Sequence, residues 1–197
     1  GLYLAQKPGC AVTLLDLPET GLRLAEARAK ADGMTSQLST VQGDATDMPF
    51  PSKSFTAISH SDVLCCLQDK PAVLRECRRV INADGRMCFT VIRLADGLQR
   101  GAMDLALQAG PEFIRSEADY PSMLQSAGWE ITQQDDITDE FLASIERMIV
   151  AEEEQYESLR TLRGDDANET AQANWHSRRQ AVTDRLIFRE FFSAVPA

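Results

Sequence analysis

Three short clusters in the first third of the chain carry side chains suited to a nucleotide-like ligand. The first is Asp16, which ends the apolar run 11–15, AVTLL. A carboxylate at the carboxyl end of a parallel strand can accept hydrogen bonds from both hydroxyls of a ribose, although the same residue type also ends strands and caps the helix that follows. The second is Gly43-Asp44-Ala45, followed by Met48-Pro49-Phe50. Glycine permits close backbone approach, and a short carboxylate beside an apolar wall can accept from an adenine amino group. Gly-Asp pairs also mark ordinary turns. The third is Ser59-His60-Ser61-Asp62, where His60 could remove a proton from an acceptor, with Asp62 as its orienter or as a cation partner. The bland alternative for His60 is a loop histidine that hydrogen-bonds only backbone.

The elements around these clusters decide whether they can meet. Residues 11–15 read as a buried parallel strand, and 19–31 as a helix rich in Ala, Leu, Arg and Glu that ends at Asp32-Gly33. Strands are expected at 37–41 and 55–59, with a helix over 69–80 capped by Asp69 and carrying Pro71 in its first turn. Residues 82–85 read as a turn and 86–92 as a further strand. Two strand-helix-strand units with short connections predict a doubly wound α/β sheet, which binds ligands at the carboxyl ends of its strands. All three clusters then fall on one edge.

Beyond Leu94 the pattern turns helical, with stretches expected at 98–109, 117–127, 139–162 and 167–183. Strands are expected at 129–134 and 185–195, and the run Glu152-Glu153-Glu154 reads as a solvated face. The whole chain reads as one domain, a ligand-binding half over 1–92 and a helical half over 93–197 that ends in the terminal strand.

Composition narrows the classes further. A chain of 197 residues has room for one core, and a net charge of −10 gives no source for the phosphate neutralisation that binds nucleic acid. No run reaches the ~20 apolar residues of a membrane span, so the reading is a cytoplasmic protein with no membrane partner. The five cysteines show no CxxC spacing and read as buried free thiols, and His60 and His176 lie far apart without the spacing of metal ligands, so no metal is expected.

The series L-x-D at 14–16, GDA-x-x-MPF at 43–50, VLRE-x-x-RV at 73–80 and DGR at 84–86 resembles the class I S-adenosylmethionine-dependent methyltransferases. The likeness is to the small-molecule branch that includes ubiquinone/menaquinone-biosynthesis and sarcosine/dimethylglycine-type enzymes, and it covers roughly residues 1–92. It implies a Rossmann-like, mostly parallel sheet with an antiparallel terminal strand and a helical lid insertion. It also implies S-adenosylmethionine as cofactor and methyl transfer to a small-molecule acceptor at N, O or C. Asp16 would bind the ribose hydroxyls and Asp44 the adenine amino group, with the Ala45 backbone beside it. Leu17 and Met48 would sandwich the adenine, with Gly43 and Ser59 at the same edge and His60 bordering the methionine moiety.

The sequence departs from that family at its start. The first strand and the glycine-rich loop are not in it, and Gly1 can at most be the last glycine of that loop, so a preceding segment is expected. Thr56 and Ala83-Asp84 stand where the family usually has Asp and Pro-Gly. A sulfonium already activates its methyl group, so a catalytic base is optional, and His60 with Asp62 are the candidates if one is used. Acceptor contacts are expected from Tyr3, Arg93, Tyr120 and Trp175, although each also suits packing or an exposed loop. A homodimer is compatible with this reading. Two other classes remain open: a non-catalytic, methyltransferase-like domain that binds a partner, and a nicotinamide-linked oxidoreductase, which would also use an acid at Asp16.

Overall fold

The computed structural model describes residues 1–7 and 9–197. After a short helix α1 (Leu2–Ala5), the first strand-helix-strand unit is β1 (Val12–Asp16), α2 (Glu19–Ala31) and β2 (Leu38–Gln42). The second is β3 (Phe55–Ser61), α3 (Lys70–Val80) and β4 (Ile81–Leu94). Both strand pairs are parallel, with Asp16 opposite Gln42 and His60 opposite Phe89. The helical half comprises α4 (Arg100–Ala109), α5 (Tyr120–Ser126), α6 (Thr138–Glu154), α7 (Tyr156–Arg163) and α8 (Asp165–Thr183). It also contributes β5 (Trp129–Asp136) and β6 (Ile187–Pro196).

Strand β6 runs antiparallel between β4 and β5, giving the order β3-β4-β6-β5, while β1 and β2 form a separate parallel pair. Among the described residues no strand joins β1 to β3. The mixed α/β architecture with an antiparallel terminal strand follows the sequence reading.

Local chemistry explains most element boundaries. Asp69 caps α3 by accepting from the Ala72 backbone N–H at 2.9 Å, and Val73, Leu74, Cys77 and Val80 bury its inner face. Residues 82–85 are not a free turn. They belong to β4 as an irregular bulge, because the pairing jumps from Phe55–Ile81 to Ala57–Arg86. Gly85 suits that bulge, since an added Cβ would lie 3.0 Å from the Thr56 carbonyl oxygen. The main core gathers Leu64, Leu74, Met87, Phe89, Leu124, Trp129, Ile145 and Phe192 between the four-stranded sheet and its helices.

Three expectations are corrected here. The helix expected over 139–162 breaks at Gln155 into α6 and α7, which lets Arg163 turn back onto α6. Glu152 is consequently buried rather than solvated: Arg163 donates to both its oxygens at 3.1 and 3.2 Å, and the Trp175 indole N–H donates at 3.2 Å. Glu153 and Glu154 do stay exposed. The cysteines are all free, but only Cys65 and Cys77 are buried; Cys88 is half-buried, and Cys10 and Cys66 are exposed. No helix among the described residues is long and apolar enough to cross a membrane.

The Glu152–Arg163 pair ties α6, α7 and α8 together, so its loss should be felt throughout that layer. Arg163→Ala strands a buried carboxylate and is expected to lower unfolding free energy by roughly 2–3 kcal/mol, read from the denaturant midpoint. An unchanged midpoint would show that the layer is held by apolar packing alone.

Candidate functional site

The ends of β1 and β2 are drawn into one corner. The Gly43 N–H donates to the Asp16 carbonyl at 3.1 Å, and the Gln42 side-chain amide donates to the Leu17 carbonyl at 3.0 Å. Asp16 is exposed; its Oδ1 accepts from the Leu17 N–H at 2.9 Å, and its Oδ2 faces Gly21 in the first turn of α2. Gly43 is closely packed, since a Cβ there would lie 3.0 Å from both Leu15 Cδ1 and Pro49 Cδ and would require one of them to shift. Leu17 is 62% exposed beside this corner, whereas Ala45 and Met48 rest half-buried on the main core.

Asp44 shapes its own loop. Its Oδ1 accepts from both the backbone N–H and the hydroxyl of Thr46 at 2.8 Å, and these bonds hold the carboxyl below its usual range. Asp44 is therefore an ionised carboxylate with one oxygen committed to a turn. Gly1 lies against Leu14 of β1 and accepts from the Leu4 and Ala5 N–H groups, which makes it the start of α1.

The third cluster divides across the two faces of β3. Ser59 and Ser61 are exposed, while the His60 ring stacks on Phe89 (centroids 4.8 Å, 20° between planes), and Phe89 stacks on Phe192 at 5.1 Å. Both His60 ring nitrogens are buried without a hydrogen-bond partner among the described residues. Burial pushes the imidazole down to about 4, against a smaller upward pull from Asp62. At neutral pH His60 is uncharged and a weak base.

Asp62 does not orient His60. Its carboxylate is held by Arg189 of β6, with Nε–Oδ1 at 3.0 Å and Nη2–Oδ2 at 2.8 Å, and it accepts from the Thr90 hydroxyl at 3.1 Å. The same guanidinium donates to Ser61 Oγ at 3.0 Å and lies over the Phe141 ring at 5.2 Å. Arg189 and Thr90 were not singled out by sequence, because nothing local links position 62 to a strand 127 residues later. Glu76 and Arg79 were also missed as site residues, although both stand inside the VLRE-x-x-RV run.

The four acceptor candidates do not converge. Arg93 is neutralised by Glu190 at 3.0 Å and lies over Phe188, and Trp175 is built into the α6–α8 layer through Glu152. Tyr3 is exposed on α1 under the Lys7 ammonium. Tyr120 alone joins the aromatic row, packing on Phe192 at 6.2 Å, with a buried hydroxyl that has no aligned partner and whose pKa burial raises. His60 and Tyr120 thus place unsatisfied polar atoms at the two ends of one row.

Residues 2–89 match the methyltransferase domain family. That match covers a little under half of the chain and is a likeness to methyltransferases. The chain is similar to the methyltransferase GfsG of Streptomyces halstedii, 24% identical over 147 residues, which span 70% of this chain and 51% of that protein. It is also similar to the ubiquinone/menaquinone biosynthesis C-methyltransferase UbiE of Paracoccus denitrificans, 34% identical over 85 residues, 43% of this chain and 34% of that protein. The chain therefore spans about half or less of these relatives. Among solved structures, the phosphoethanolamine N-methyltransferase 2 of Haemonchus contortus, in complex with S-adenosylhomocysteine, superposes with a TM-score of 0.80 at 17% identity. That match covers 95% of this chain and 44% of the other and establishes the shared fold.

The buried, uncharged state of His60 has a consequence for stability. Its folded pKa of about 4 lies below the ordinary 6.5, so as pH falls between those values the unfolded chain takes up a proton that the folded one refuses. Stability should drop on the order of 3 kcal/mol across that window through this group. His60→Phe, which keeps the stacking on Phe89, should flatten that part of the profile in pH-dependent chemical denaturation; identical profiles would refute the assignment.

Proposed function

We propose that the protein transfers the methyl group of S-adenosylmethionine to a small-molecule acceptor. The observation that carries this reading is the corner at the strand ends, where Asp16, whose side chain is an exposed carboxylate at the end of β1, accepts through its backbone carbonyl from the N–H of Gly43 just past β2, beside the Asp44 turn. An adenosine fits the chemistry of that corner: a carboxylate for a vicinal diol, a second carboxylate for an amino group, and Leu17 and Met48 as apolar walls. The His60 ring nitrogens on β3, buried without a partner among the described residues, likewise suit a polar ligand group. Residues 1–92 are then the cofactor half and 93–197 the acceptor half of one cytoplasmic domain.

When bound, the sulfonium supplies a methyl group already activated for in-line displacement by an acceptor lone pair. The chain's task is to position the reactants and exclude water. Asp16 and Asp44 orient the nucleoside end. His60, uncharged and weakly basic, lines the edge as a neutral hydrogen-bonding group rather than as a strong base. The Arg189–Asp62 bridge fixes the loop that follows β3. Tyr120 is the acceptor-side residue whose geometry supports that role best, since its hydroxyl ends the row that begins at His60.

Calorimetric titration of the full-length protein with S-adenosylmethionine, S-adenosylhomocysteine and NADH tests this reading. Binding of the first two and not the third is expected; no binding of either sulfur ligand would overturn it in favour of a non-catalytic domain, and binding of NADH alone in favour of an oxidoreductase. Asp16→Ala should weaken the sulfur ligands by about 1.5–3 kcal/mol, the range for hydrogen bonds to a charged group. Unchanged affinity in a folded Asp16→Ala protein would remove Asp16 from the site.

A further inference from the structure

The segment that follows Asp44 owes its shape to two side chains on α3. Glu76 Oε2 accepts from the Met48 N–H at 2.8 Å, while Arg79 donates to the Phe50 carbonyl at 2.6 Å and to the Met48 carbonyl at 2.9 Å. The two side chains are locked to each other through paired contacts of 2.7 Å, which hold the Glu76 carboxyl below its ordinary range. The backbone continues the attachment: Lys53 N–H donates to the Arg79 carbonyl at 2.9 Å and Ser54 N–H to the Val80 carbonyl at 2.7 Å.

Residues 48–51 include two prolines and form no helix or strand, and apart from the Phe50 N–H, which donates to the Met48 carbonyl at 2.8 Å, their backbone groups look outside the segment for partners. One ion pair supplies partners for the Met48 N–H and carbonyl and for the Phe50 carbonyl. Pro49, held between these anchors, is the residue whose ring closes on Gly43, immediately before Asp44. The position of α3 is therefore transmitted to the wall of the nucleoside corner through a path of direct contacts.

We propose that Glu76 and Arg79 are positioning residues for the purine end of the cofactor pocket, acting through the Met48–Phe50 segment without touching the ligand. The proposal rests on the cofactor reading given above. Three variants of the full-length protein test it: Arg79→Met, which keeps the aliphatic stem; Arg79→Lys, which keeps the charge; and Glu76→Gln, which keeps an acceptor for the Met48 N–H.

Calorimetry with S-adenosylhomocysteine and with adenosine, beside thermal unfolding, gives the readouts. Arg79→Met is expected to weaken both ligands by a similar factor, roughly tenfold or more, while the protein remains folded. Arg79→Lys should restore only part of the loss, because one ammonium cannot span two carbonyls and a carboxylate in the plane of a guanidinium. Glu76→Gln should fall between Arg79→Met and wild type. Affinities within about twofold of wild type in folded Arg79→Met would overturn the proposal alone. A wild-type protein that binds neither ligand would overturn the cofactor reading and this proposal together.

Discussion

The molecule depends on the insertion of β6 between β4 and β5. That strand pairs with β4 from Met87–Ala194 to Leu94–Ile187 and with β5 from Trp129–Pro196 to Asp136–Glu190, so everything from Ala95 to Leu186 except β5 and its own helix α5 is an excursion over the sheet. Alternation along β6 then does two jobs. One face sends Phe192 into the core against Phe89, and the other sends Arg189 to Asp62 at the end of β3. The last strand of the chain thereby fixes a loop formed near its beginning, and the helical layer is anchored at both ends to the sheet it covers.

The electrostatics of the site follow from which groups remain wet. Asp16 and Asp44 stand at the rim as carboxylates, where hydration keeps an anion inexpensive. His60 lies on β3 of the other sheet, flat against an aromatic ring, and burial takes its charge away. Methyl transfer from a sulfonium suits such a division, since it requires a nucleoside held by charges at the rim and a dry, neutral surface near the reacting atoms. A strong base is not part of this edge, and Asp62 could not activate one while Arg189 occupies its carboxylate.

Much of the first half was legible because its determinants are local. The run AVTLL, the Asp69 cap with Pro71, and the glycine at 43 each act within a few residues of themselves, and the structure puts β1, α3 and the corner at Asp16 and Gly43 where those signals pointed. What escaped was non-local. Residues 82–85 have the composition of a turn, and only the pairing of Ile81 and Arg86 with Phe55 and Ala57 of β3 on either side makes them a bulge in β4. Glu152 carries the same charge as its two neighbours, and only the return of Arg163 and Trp175 onto α6 buries it. Asp62 beside His60 reads as a catalytic pair in one dimension, and a strand distant in sequence claims the carboxylate in three.

The two indoles of the chain happen to sit in different layers, each with its N–H bound. Trp129 is buried and donates to the Leu74 carbonyl of α3 at 3.0 Å, so it belongs to the sheet and the helix that grips the Met48 segment. Trp175 is half-buried, donates to Glu152 and has the Arg178 guanidinium over its ring at 5.5 Å, so it belongs to the helical cover. Their emission is expected to separate into a blue, protected component and one quenchable by nearby charge. Without any label, the protein carries one optical reporter on its scaffold and another on its cover, and motion of the second against the first can be followed in real time.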